Sequence, residues 1–353
     1  MRLLGIETSC DETSAALISG NPSDPLVTLE VNTVASSLSL HKKTGGIIPE
    51  VAAREQLSYI LPVIKETLGV SNPLAKKPPI DAIAVTVGPG LIGSLLVGVE
   101  TAKTLAYLWN VPLIPVNHLM GHIYANFIKT GSWEKAIRDS DIEFPAVALV
   151  VSGGHTDLVL LKDHGKLQWL GGTRDDAAGE ALDKIGRLLK LSYPGGPAIE
   201  KAAKNGNSKR FLFPKPMINS NDFDFSFSGL KTAVLKEVKA MKQLSDETIA
   251  DISASVQQAI IDVLIKKTLN AALQHKAKSI LLGGGVAANQ KLRDEFKLKA
   301  RRYKLDAEIF VPAASLCTDN GAMIASCAFF NYKPVLWKNV YANPQLYFAT
   351  IES

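Results

Sequence analysis

The chain has 353 residues, of which 46% are hydrophobic and 21% charged, which is the composition of an ordinary globular protein with room for two domains. Its net charge of +5 at pH 7 permits a nucleic-acid partner without requiring one. The three cysteines, Cys10, Cys317 and Cys327, form no close pair and no CxxC motif, which argues against a disulfide framework and favours a reducing compartment.

The N-terminal stretch MRLLGIETSCDE has neither the apolar core of a signal peptide nor the Arg/Ser-rich composition of a transit segment. The most apolar run, residues 83–99, is shorter than the roughly 20 residues of a membrane span, and GPG interrupts it. We therefore expect a soluble, cytoplasmic protein without a membrane segment.

Two stretches far apart in the chain share a pattern that is typical of a β-hairpin. Residues 2–19 contain the apolar run RLLGIE, the polar turn TSCDET and the apolar run SAALIS. Residues 146–161 contain AVALVV, the small-residue turn SGGHT and DLVLL. The repetition predicts two related halves that each open with a hairpin.

The other apolar patterns alternate between strands and helices, which predicts an α/β protein. In chain order they are a helix at 49–69, a strand at 80–90, a helix at 94–110, a short strand before HLMGH, a helix at 175–191 that PGGP ends, a loop and helix at 222–242, a long helix at 245–274 with Ser245 as N-cap, a strand, turn and helix at 277–296, and a strand, loop and helix at 307–330. We expect an N-terminal lobe at 1–140, a C-terminal lobe at 141–321, and a segment at 322–353 that packs back on the first lobe.

His118 and His122 stand four residues apart in PVNHLMGH, so on a helix they lie one above the other on the same face. Two imidazoles in this arrangement can bind one metal ion. The alternative is a pair of polar residues at a domain seam, with ring nitrogens satisfied by backbone carbonyls.

Four turns of small residues follow apolar strands: GIETSCDET, VSGGHT, PGGP and LGGGVAAN. Such turns let backbone N–H groups approach phosphate oxygens, although any one alone is more often a plain tight turn. Together they favour a nucleotide held between the lobes. Neither the P-loop pattern GxxxxGK[ST] nor a strand-linked GxGxxG is present, which argues against those two nucleotide-binding folds.

Acidic residues beside these turns could hold a metal ion, bind ribose hydroxyls or act as bases. They are Glu7, Asp11, Glu12, Asp183, Glu200 and Asp319. Asp176 and Glu180 are expected to be solvated acids on an exposed helix. Asp319, between a strand and an apolar helix in CTDNGA, is expected either to cap that helix or to bind a metal.

Ten ordered blocks along nearly the whole chain resemble the tRNA threonylcarbamoyltransferase family. They are GIETSCDETSAA, GGIIPEVAAREQ, VGPGLIGSLLVG, VNHLMGH, LVVSGGHTDL, DDAAGEALDKIGRLL, YPGGPAIEK, FDFSFSGLKTA, LGGGVAANQKLR and CTDNGAMIA. The resemblance implies the duplicated α/β fold of actin, sugar kinases and heat-shock chaperone ATPases, with two lobes and a nucleotide cleft between them. This agrees with the two predicted hairpins.

The resemblance also assigns site residues. The family's divalent metal ion, iron or zinc, is held by the two His of HxxxH and the Asp of TDNGA, which are His118, His122 and Asp319 here. We expect one such ion per subunit, and because the ligands come one set from each half, the ion would also join the two lobes. The family's substrate- and nucleotide-binding positions fall on Val150, Val151, Ser152, Gly153, Gly154, His155, Asp183, Gly196, Glu200 and Asn289.

The implied reaction moves a threonylcarbamoyl group from threonylcarbamoyl-AMP to the exocyclic amine of the adenosine beside the anticodon, in tRNAs reading codons that begin with A, and AMP leaves. A bacterial member is expected to work with a non-catalytic paralogue subunit and a small ATPase subunit. A mitochondrial member acts alone as a homodimer, but this chain shows no transit segment. The sequence does not identify the group that takes the amine proton, for which Asp11 and Glu12 are the candidates.

The basic runs 230–242 and 291–304 are expected to contact tRNA, unless they are solvated helix faces. Lys297, Lys299 and Arg301 are the residues that we expect to bind phosphate. Phosphate contacts of this kind are blind to sequence, so the choice among tRNAs would depend on the presented anticodon loop and on partner proteins.

Three positions depart from the bacterial pattern: Met120 stands where Glu is common, Gln56 where His is common, and Thr44 where Tyr is common. The rival functions are a metallopeptidase, a small-molecule kinase of the same fold and a non-catalytic nucleotide-binding partner. A peptidase needs the Glu of HExxH, but Leu119 occupies that position. The non-catalytic relative lacks the two histidines, and a kinase would act without tRNA.

Overall fold

The structure is a computed structural model that describes residues 1–74, 76–129, 141–303 and 305–348. The chain divides into two compact units. The first unit comprises Met1–Ile142 and Pro312–Ser353, and the second comprises Glu143–Val311.

The first unit contains, in chain order, β1 (Arg2–Glu7), β2 (Glu12–Ser19), β3 (Val27–Ser36), α1 (Leu38–Thr44), α2 (Pro49–Leu68), β4 (Ala82–Gly88), α3 (Ile92–Trp109), β5 (Leu113–Asn117), α4 (His118–Tyr124) and β6 (Ile128–Lys129). The second unit contains β7 (Ala146–Val151), β8 (Thr156–Asp163), β9 (Lys166–Gly172), α5 (Ala178–Leu188), α6 (Gly195–Ala203), α7 (Ser228–Ala240), α8 (Asp246–Gln274), β10 (Ser279–Gly283), α9 (Gln290–Arg302) and β11 (Glu308–Phe310). The first unit resumes with α10 (Ala314–Cys317) and α11 (Gly321–Phe330).

The sheets of the two units share one five-stranded topology, to which the first unit adds the short strand β6 beside β3. Within the described residues, the strand order is β5-β4-β1-β2-β3-β6 in the first and β11-β10-β7-β8-β9 in the second. In each sheet three consecutive strands pair antiparallel, and two later strands add in parallel beside the first of them. Thus β7 corresponds to β1 and β10 to β4, which confirms the predicted α/β class and its duplication.

The two predicted hairpins are present. In the first, Glu7 pairs with Ser14, so residues 8–13 join the paired parts of β1 and β2 as predicted, although β2 itself begins at Glu12 because Glu12 and Thr13 pair with β3. In the second, Val151 pairs with Thr156, so the turn is one residue shorter than predicted. The sequence did not predict β3 and β9, because these outer strands of the meanders alternate irregularly between half-buried and exposed residues.

Two helix boundaries of the second unit differ from the prediction. The acids at 175 and 176 precede α5 because their side chains bind elsewhere: Asp175 accepts a hydrogen bond from the backbone N–H of Phe227 at 2.8 Å, and Asp176 pairs with Lys184 at 2.6 Å. The motif PGGP does more than end α5, since Pro194 is the N-cap residue of α6.

The helix α8 is long and apolar enough to cross a membrane by length and composition. However, 67% of its most apolar window is buried within the protein, and the helix packs against α6, α9 and β7. The predicted cap is confirmed, because the Oγ atom of Ser245 accepts a hydrogen bond from the backbone N–H of Thr248 at 3.1 Å. These contacts are those of a core helix of the second unit.

Candidate active site

His118 and His122 lie on α4, directly after β5. The strand ends at Asn117, whose Oδ1 atom accepts hydrogen bonds from the backbone N–H groups of Leu119 at 2.8 Å and Met120 at 3.4 Å. Asn117 therefore caps α4 and fixes where the helix begins. The two imidazole centroids are 4.7 Å apart on one face of the helix, so the predicted arrangement of the two rings is confirmed.

Asp319 lies just before α11 and faces both imidazoles. Its Oδ1 atom is 3.6 Å from Nε2 of His118 and 3.3 Å from Nε2 of His122. The next residue caps the helix, since Oδ1 of Asn320 accepts a hydrogen bond from the backbone N–H of Met323 at 3.0 Å. The interpretation of Asp319 as the helix cap was therefore wrong, and its carboxylate forms a three-residue cluster with the imidazoles.

All three side chains belong to the first unit, because the chain returns to that unit from Pro312 onward. The close approach of α11 to β1 requires two glycines: a Cβ on Gly5 would lie 2.1 Å from the carbonyl oxygen of Gly321. This approach brings Asp319 beside α4. The expectation that the ligands come from two different lobes was therefore wrong.

The surroundings of His122 fit a metal ligand. The side chain is 1% exposed, and neither ring nitrogen has a hydrogen-bond partner among the described residues. Buried polar atoms are almost always paired, and an unpaired one costs about 1–3 kcal/mol. A backbone carbonyl does not satisfy this ring, whereas a cation bound through Nε2 would. Two imidazoles and one carboxylate also form a donor set suited to zinc or iron.

Glu7 lies behind His118 and is fully buried. Its side chain accepts hydrogen bonds from the backbone N–H of Ser9 and from Oγ1 of Thr86, both at 2.5 Å. Its Oε2 atom is 3.1 Å from Nδ1 of His118, the ring nitrogen away from Asp319. A carboxylate in this position holds the imidazole with Nε2 turned towards a metal and raises its basicity.

The sequence analysis named Glu7 only as an acid beside a turn. The signal that could have found its role is topological. Glu7 ends β1, β4 is its parallel neighbour, and the next parallel strand, β5, leads into α4. The ends of adjacent parallel strands lie at the same edge of a sheet, so this carboxylate and the first histidine of α4 had to be close.

Two carboxylates flank His118. Burial lowers the pKa of His118, but the charges of Asp319 and Glu7 and the hydrogen bond to Glu7 outweigh burial and raise that pKa to about 9. The surroundings of this ring therefore favour positive charge, which a bound cation would also supply.

Asp11 and Glu12 follow the turn after β1. Burial first, and then the charges of Asp11 and Asp319, raise the pKa of Glu12 to about 9, and its Oε1 atom accepts a hydrogen bond from Oγ of Ser36 at 3.2 Å. Burial and the same carboxylates raise the pKa of the Cys10 thiol well above its ordinary value. The turn is thus an acidic cluster next to Asp319.

Gln56, one of the three departures, holds this turn in place. It is buried on α2, and its Nε2 atom donates to the carbonyl oxygens of Cys10 at 3.0 Å and Glu12 at 2.9 Å. Met120 is buried on α4, between the two histidines. The side chain of Thr44 lies outside the described part of the structure.

The predicted phosphate-binding turn lies in the second unit, at the end of β7. The last two residues of β7 are buried, and the backbone N–H of Ser152 donates to the carbonyl oxygen of His155 at 2.9 Å. The N–H of His155 in turn donates to Oγ of Ser152 at 3.2 Å. A Cβ on Gly153 or Gly154 would meet nothing within 4 Å, so this side of the turn is open.

Two neighbouring segments pack tightly against this turn. Gly283 at the end of β10 pairs with Val150, and a Cβ on Gly284 would lie 2.4 Å from the carbonyl oxygen of Val151. A Cβ on Gly179 of α5 would lie 2.5 Å from the carbonyl oxygen of Ser152. The triple-glycine turn and the start of α5 therefore lie directly beside the predicted phosphate turn.

The remaining predicted positions connect three helices of the second unit. Asp183 on α5 accepts a hydrogen bond from the first N–H group of α6 at 2.7 Å, and burial raises the pKa of its carboxyl. Glu200 on α6 accepts from the first N–H group of α9 at 2.8 Å, and Asn289 caps α9. Gly196 is the second residue of α6. The structure thus gathers the predicted positions around the ends of β7 and β10.

A surface cavity of about 540 Å³ lies elsewhere in the second unit. It is lined by residues 218–223 together with Lys266, Asn270, Leu273 and Gln274. None of the predicted site residues lines it. The candidate site is therefore defined by the cluster of His118, His122 and Asp319 and by the open backbone at Gly153 and Gly154, and not by this cavity.

The profile of the tRNA N6-adenosine threonylcarbamoyltransferase family matches residues 28–326. The chain belongs to this family. The enzyme of that name from Moorella thermoacetica is 47% identical over 331 residues, which are 94% of this chain and 92% of the relative. The enzyme of the same name from Desulfitobacterium hafniense is 46% identical over 333 residues, which are 94% of this chain and 92% of that relative. The predicted family and transferase activity are confirmed: the function is threonylcarbamoyl transfer to N6 of a tRNA adenosine.

Solved structures support the fold predicted for this threonylcarbamoyltransferase. The structure of full-length HypF in its phosphate- and nucleotide-bound form superposes on this chain with a TM-score of 0.55 and 10% sequence identity. The alignment covers 94% of this chain and 55% of the HypF chain. HypF from T. kodakarensis has a TM-score of 0.55 at 16% identity, and the alignment covers 94% of this chain and 47% of that HypF chain. The chain thus spans about half the length of these proteins, and the likeness concerns the fold alone. Together with the family, it confirms the two-lobe actin-like ATPase fold.

The family name makes tRNA the substrate of the threonylcarbamoyltransferase, but the structure changes the expected phosphate contacts. On α9, Lys299 contacts Asp262 and lies 3.0 Å from Glu295, so its charge is already paired. Lys297 and Arg301 of the same helix are exposed. The predicted basic footprint on α9 is therefore smaller than the sequence suggested.

Proposed function

We propose that this transferase takes the threonylcarbamoyl group from threonylcarbamoyl-AMP and that its acceptor is the adenosine 3′ to the anticodon in tRNAs reading codons that begin with A. A bond forms between the exocyclic amine nitrogen and the carbamoyl carbon, the bond from that carbon to the phosphate oxygen breaks, and AMP leaves. The observation that carries the proposal is the cluster of His118, His122 and Asp319 beside the acidic turn after β1.

The three residues of this cluster would hold one divalent cation per subunit, iron or zinc. When bound, such an ion supplies Lewis-acid stabilisation of the charge that develops on the carbamoyl oxygen and on the leaving phosphate. The buried nitrogens of His122, which make no hydrogen bond to any described residue, support this assignment. Glu7 orients His118 for the same purpose through its contact with Nδ1.

The nucleotide part of the donor is proposed to bind in the second unit, at the residues that the family resemblance indicates. Gly153 and Gly154 offer open backbone to phosphate oxygens, as do glycine turns in other nucleotide sites. Asp183, Glu200 and Asn289 hold the starts of α6 and α9 next to this turn. Binding there orients an already activated acyl group, which is the main requirement of this chemistry.

The carboxyl groups of Asp11 and Glu12 are proposed to accept the proton that the amine loses. The raised pKa of Glu12 makes its carboxylate a stronger base than an exposed one. Burial is the largest cause of that raised pKa, and Asp11 and Asp319 add to it, so neutralising the Asp319 charge would lower the pKa of Glu12 and favour the ionised carboxylate that accepts a proton. Gln56 keeps the turn in position for this step.

A non-catalytic paralogue is proposed to bind the outer face of α2 and α3. The two helices pack together where Ala53 faces Gly93. Leu57 and Leu61 of α2 are 66% and 42% exposed, and Ile92 and Leu96 of α3 are 51% and 45% exposed. Exposed apolar side chains gathered in this way are typical of a protein interface.

A small ATPase subunit completes the proposed partner set. The free thiols Cys10, Cys317 and Cys327 fit a cytoplasmic location without a membrane partner.

Reconstitution tests the proposed function. The chain is combined with its partners, the adenylate-forming enzyme, threonine, bicarbonate, ATP and a tRNA that reads codons beginning with A, and the nucleosides are analysed by mass spectrometry. We expect threonylcarbamoyladenosine at the position beside the anticodon only when this chain is present. A tRNA in which that adenosine is replaced by guanosine serves as the matched control. Formation of a phosphorylated small molecule in place of the modified nucleoside would contradict the proposal.

A further inference from the structure

The segment after α11, residues 331–348, crosses the first unit as a C-terminal strap. Its Val335 N–H donates to the carbonyl oxygen of the first residue of β5 at 2.9 Å, and Val340 is buried in the core. Further on, the N–H of Asn343 donates to a carbonyl oxygen of β4 at 2.6 Å. The strap ends at α4, where Nδ2 of Asn117 donates to the carbonyl oxygen of Tyr347 at 3.0 Å.

The GPG motif after β4, which the functional assignment leaves unused, receives this strap. A Cβ on Gly88, whose φ is 152°, would lie 1.9 Å from the carbonyl oxygen of Asn343. The N–H of Gly90 donates to the carbonyl oxygen of Pro344 at 3.4 Å. The strap is therefore seated on the first unit by its backbone, which leaves many of its side chains to face solvent.

The exposed side chains of the strap and of the adjoining α3 are unusually aromatic. Eight Tyr and Trp side chains are exposed in the described residues. Five of them lie on the strap or at the end of α3: Tyr107, Tyr332, Trp337, Tyr341 and Tyr347. Tyr107 and Tyr341 are 69% and 70% exposed, and the rings of Tyr107 and Trp337 meet edge to face at 5.4 Å. Tyr107 and Tyr341 therefore expose most of their side chains to solvent.

The charge of the strap itself is positive. Residues 331–348 contain no Asp or Glu. Lys333 and Lys338 are exposed and make no ion pair with any residue that the structure describes. Nζ of Lys103 lies 5.6 Å from the ring centroid of Tyr341, and this lysine is paired with Glu100 at 2.9 Å, so the unpaired charge comes from the strap itself. Exposed aromatic rings interleaved with lysines bind single-stranded nucleic acid, in which bases stack on rings and phosphates meet the ammonium groups.

We propose that the C-terminal strap binds unpaired nucleotides of the tRNA substrate. Bases of the anticodon loop stack on Tyr341, Tyr107 and Trp337, and the lysines of the strap contact phosphates. The strap leads to Asn117, the cap of the helix that carries His118, and the chain from Tyr341 to Tyr347 spans at most about 20 Å. The strap thus runs from the exposed aromatic side chains to the helix that carries His118. This inference rests on the proposed function, since it assumes a tRNA acceptor.

The test measures the dissociation constant of a fluorescently labelled anticodon stem-loop RNA for the full-length chain. We expect Tyr341→Ala and Tyr107→Ala each to weaken binding about fivefold or more, because stacked rings contribute strongly to single-strand affinity. Tyr341→Phe retains the ring and should bind as the unmodified chain does. Tyr59→Ala, a change of an exposed tyrosine on α2, is the matched control and should leave the dissociation constant unchanged.

The salt dependence separates stacking from charge. Tyr341→Ala should weaken binding without changing the slope of log Kd against log salt, whereas Lys338→Gln should reduce that slope by about one. Thermal melts show whether Tyr341→Ala remains folded, and retained binding by Tyr341→Phe excludes a role of the hydroxyl group.

Two results would overturn the inference. One is an unchanged RNA affinity in both alanine variants, together with loss of association with a partner subunit, which would make the strap a protein interface. The other is equal loss of RNA binding in Tyr341→Phe. If the unmodified chain modifies tRNA in the reconstituted assay but the variants keep its KM for tRNA, the inference fails and the proposed function stands. If the unmodified chain transfers nothing, the proposed function itself fails.

Discussion

The turn after β1 and the turn after β7 occupy the same place in two sheets of the same topology, yet their chemistry is opposite. The first is bounded by carboxyl groups, and Glu7 at the end of β1 is fully buried against His118. The second presents Gly153 and Gly154, where a side chain would meet nothing. Two equivalent strand ends thus differ: the first presents carboxyl groups, and the second leaves backbone open.

The turns after the next parallel strands differ in a related way. The GPG turn after β4 receives the C-terminal strap, and the triple-glycine turn after β10 receives the end of β7. In both places glycine allows backbone to approach backbone, but only the first contact brings in a segment from the end of the chain. The two units thus share a framework of strands and differ in the segments that pack against its turns.

The largest effect is expected from removing a ligand of the first unit. Asp319→Ala and His118→Ala should each abolish stoichiometric metal binding and reduce threonylcarbamoyl transfer at least about 100-fold, because the remaining two side chains no longer form a three-ligand set. Elemental analysis and the nucleoside assay measure the two quantities. Nucleotide binding in the second unit should persist in both variants. A variant that lost the metal and kept full transfer would separate the cluster from catalysis.

A smaller effect is expected from Glu7→Gln, which keeps the shape of the side chain but removes the charge behind His118. Metal affinity should fall about 10–100-fold, as it does when partners of metal-bound histidines are changed. Competition with a chelator of known affinity gives the value. Unchanged affinity would show that the 3.1 Å contact between Glu7 and His118 has no role in holding a metal.

In the second unit, Gly153→Val should weaken binding of ADP about tenfold by calorimetry, because the side chain stands where phosphate would approach. Stability should change by less than about 0.5 kcal/mol, since a Cβ at this position meets nothing within 4 Å. Gly179→Ala is the matched control, because it tests a glycine at which a side chain has no room. Its Cβ would lie 2.5 Å from a backbone oxygen, so it should lower the free energy of unfolding by about 1–3 kcal/mol. Unchanged ADP affinity in a folded Gly153→Val protein would contradict the assignment.

The smallest effect is expected from Gln56→Ala. The carbonyl oxygens of Cys10 and Glu12 lose their side-chain donor, and the free energy of unfolding should fall by about 1 kcal/mol. Chemical denaturation measures this change. No loss of stability would indicate that water replaces the amide and that the turn after β1 does not depend on α2.

Much of this arrangement could be predicted from local sequence. Short-range patterns gave the two hairpins, the pair of histidines on one helical face and the cap at Ser245, since each depends on neighbouring residues alone. The outer strands β3 and β9 were missed because their half-exposed residues carry little periodic signal. Element order from sequence could not reveal that Asp319 returns to the first unit, because this depends on the close packing of Gly5 against Gly321.

Long-range contacts explain the other gaps. Glu7 was visible only as an acid near a turn, since its meeting with His118 depends on the order of β1, β4 and β5 in the sheet. The pairing of Lys299 with Asp262 and Glu295 joins two helices and removed a predicted phosphate contact. The contact of the GPG motif with the C-terminal strap could not be predicted, because it joins residues that are far apart in the sequence.

The central claim is that transfer depends on a cation held by His118, His122 and Asp319. The most direct measurement strips metal from the unmodified enzyme, restores iron or zinc in steps, and records bound metal and threonylcarbamoyladenosine formation in the same samples. The account predicts that transfer rises in proportion to occupancy and saturates at one ion per chain. Full transfer at negligible metal content would contradict it.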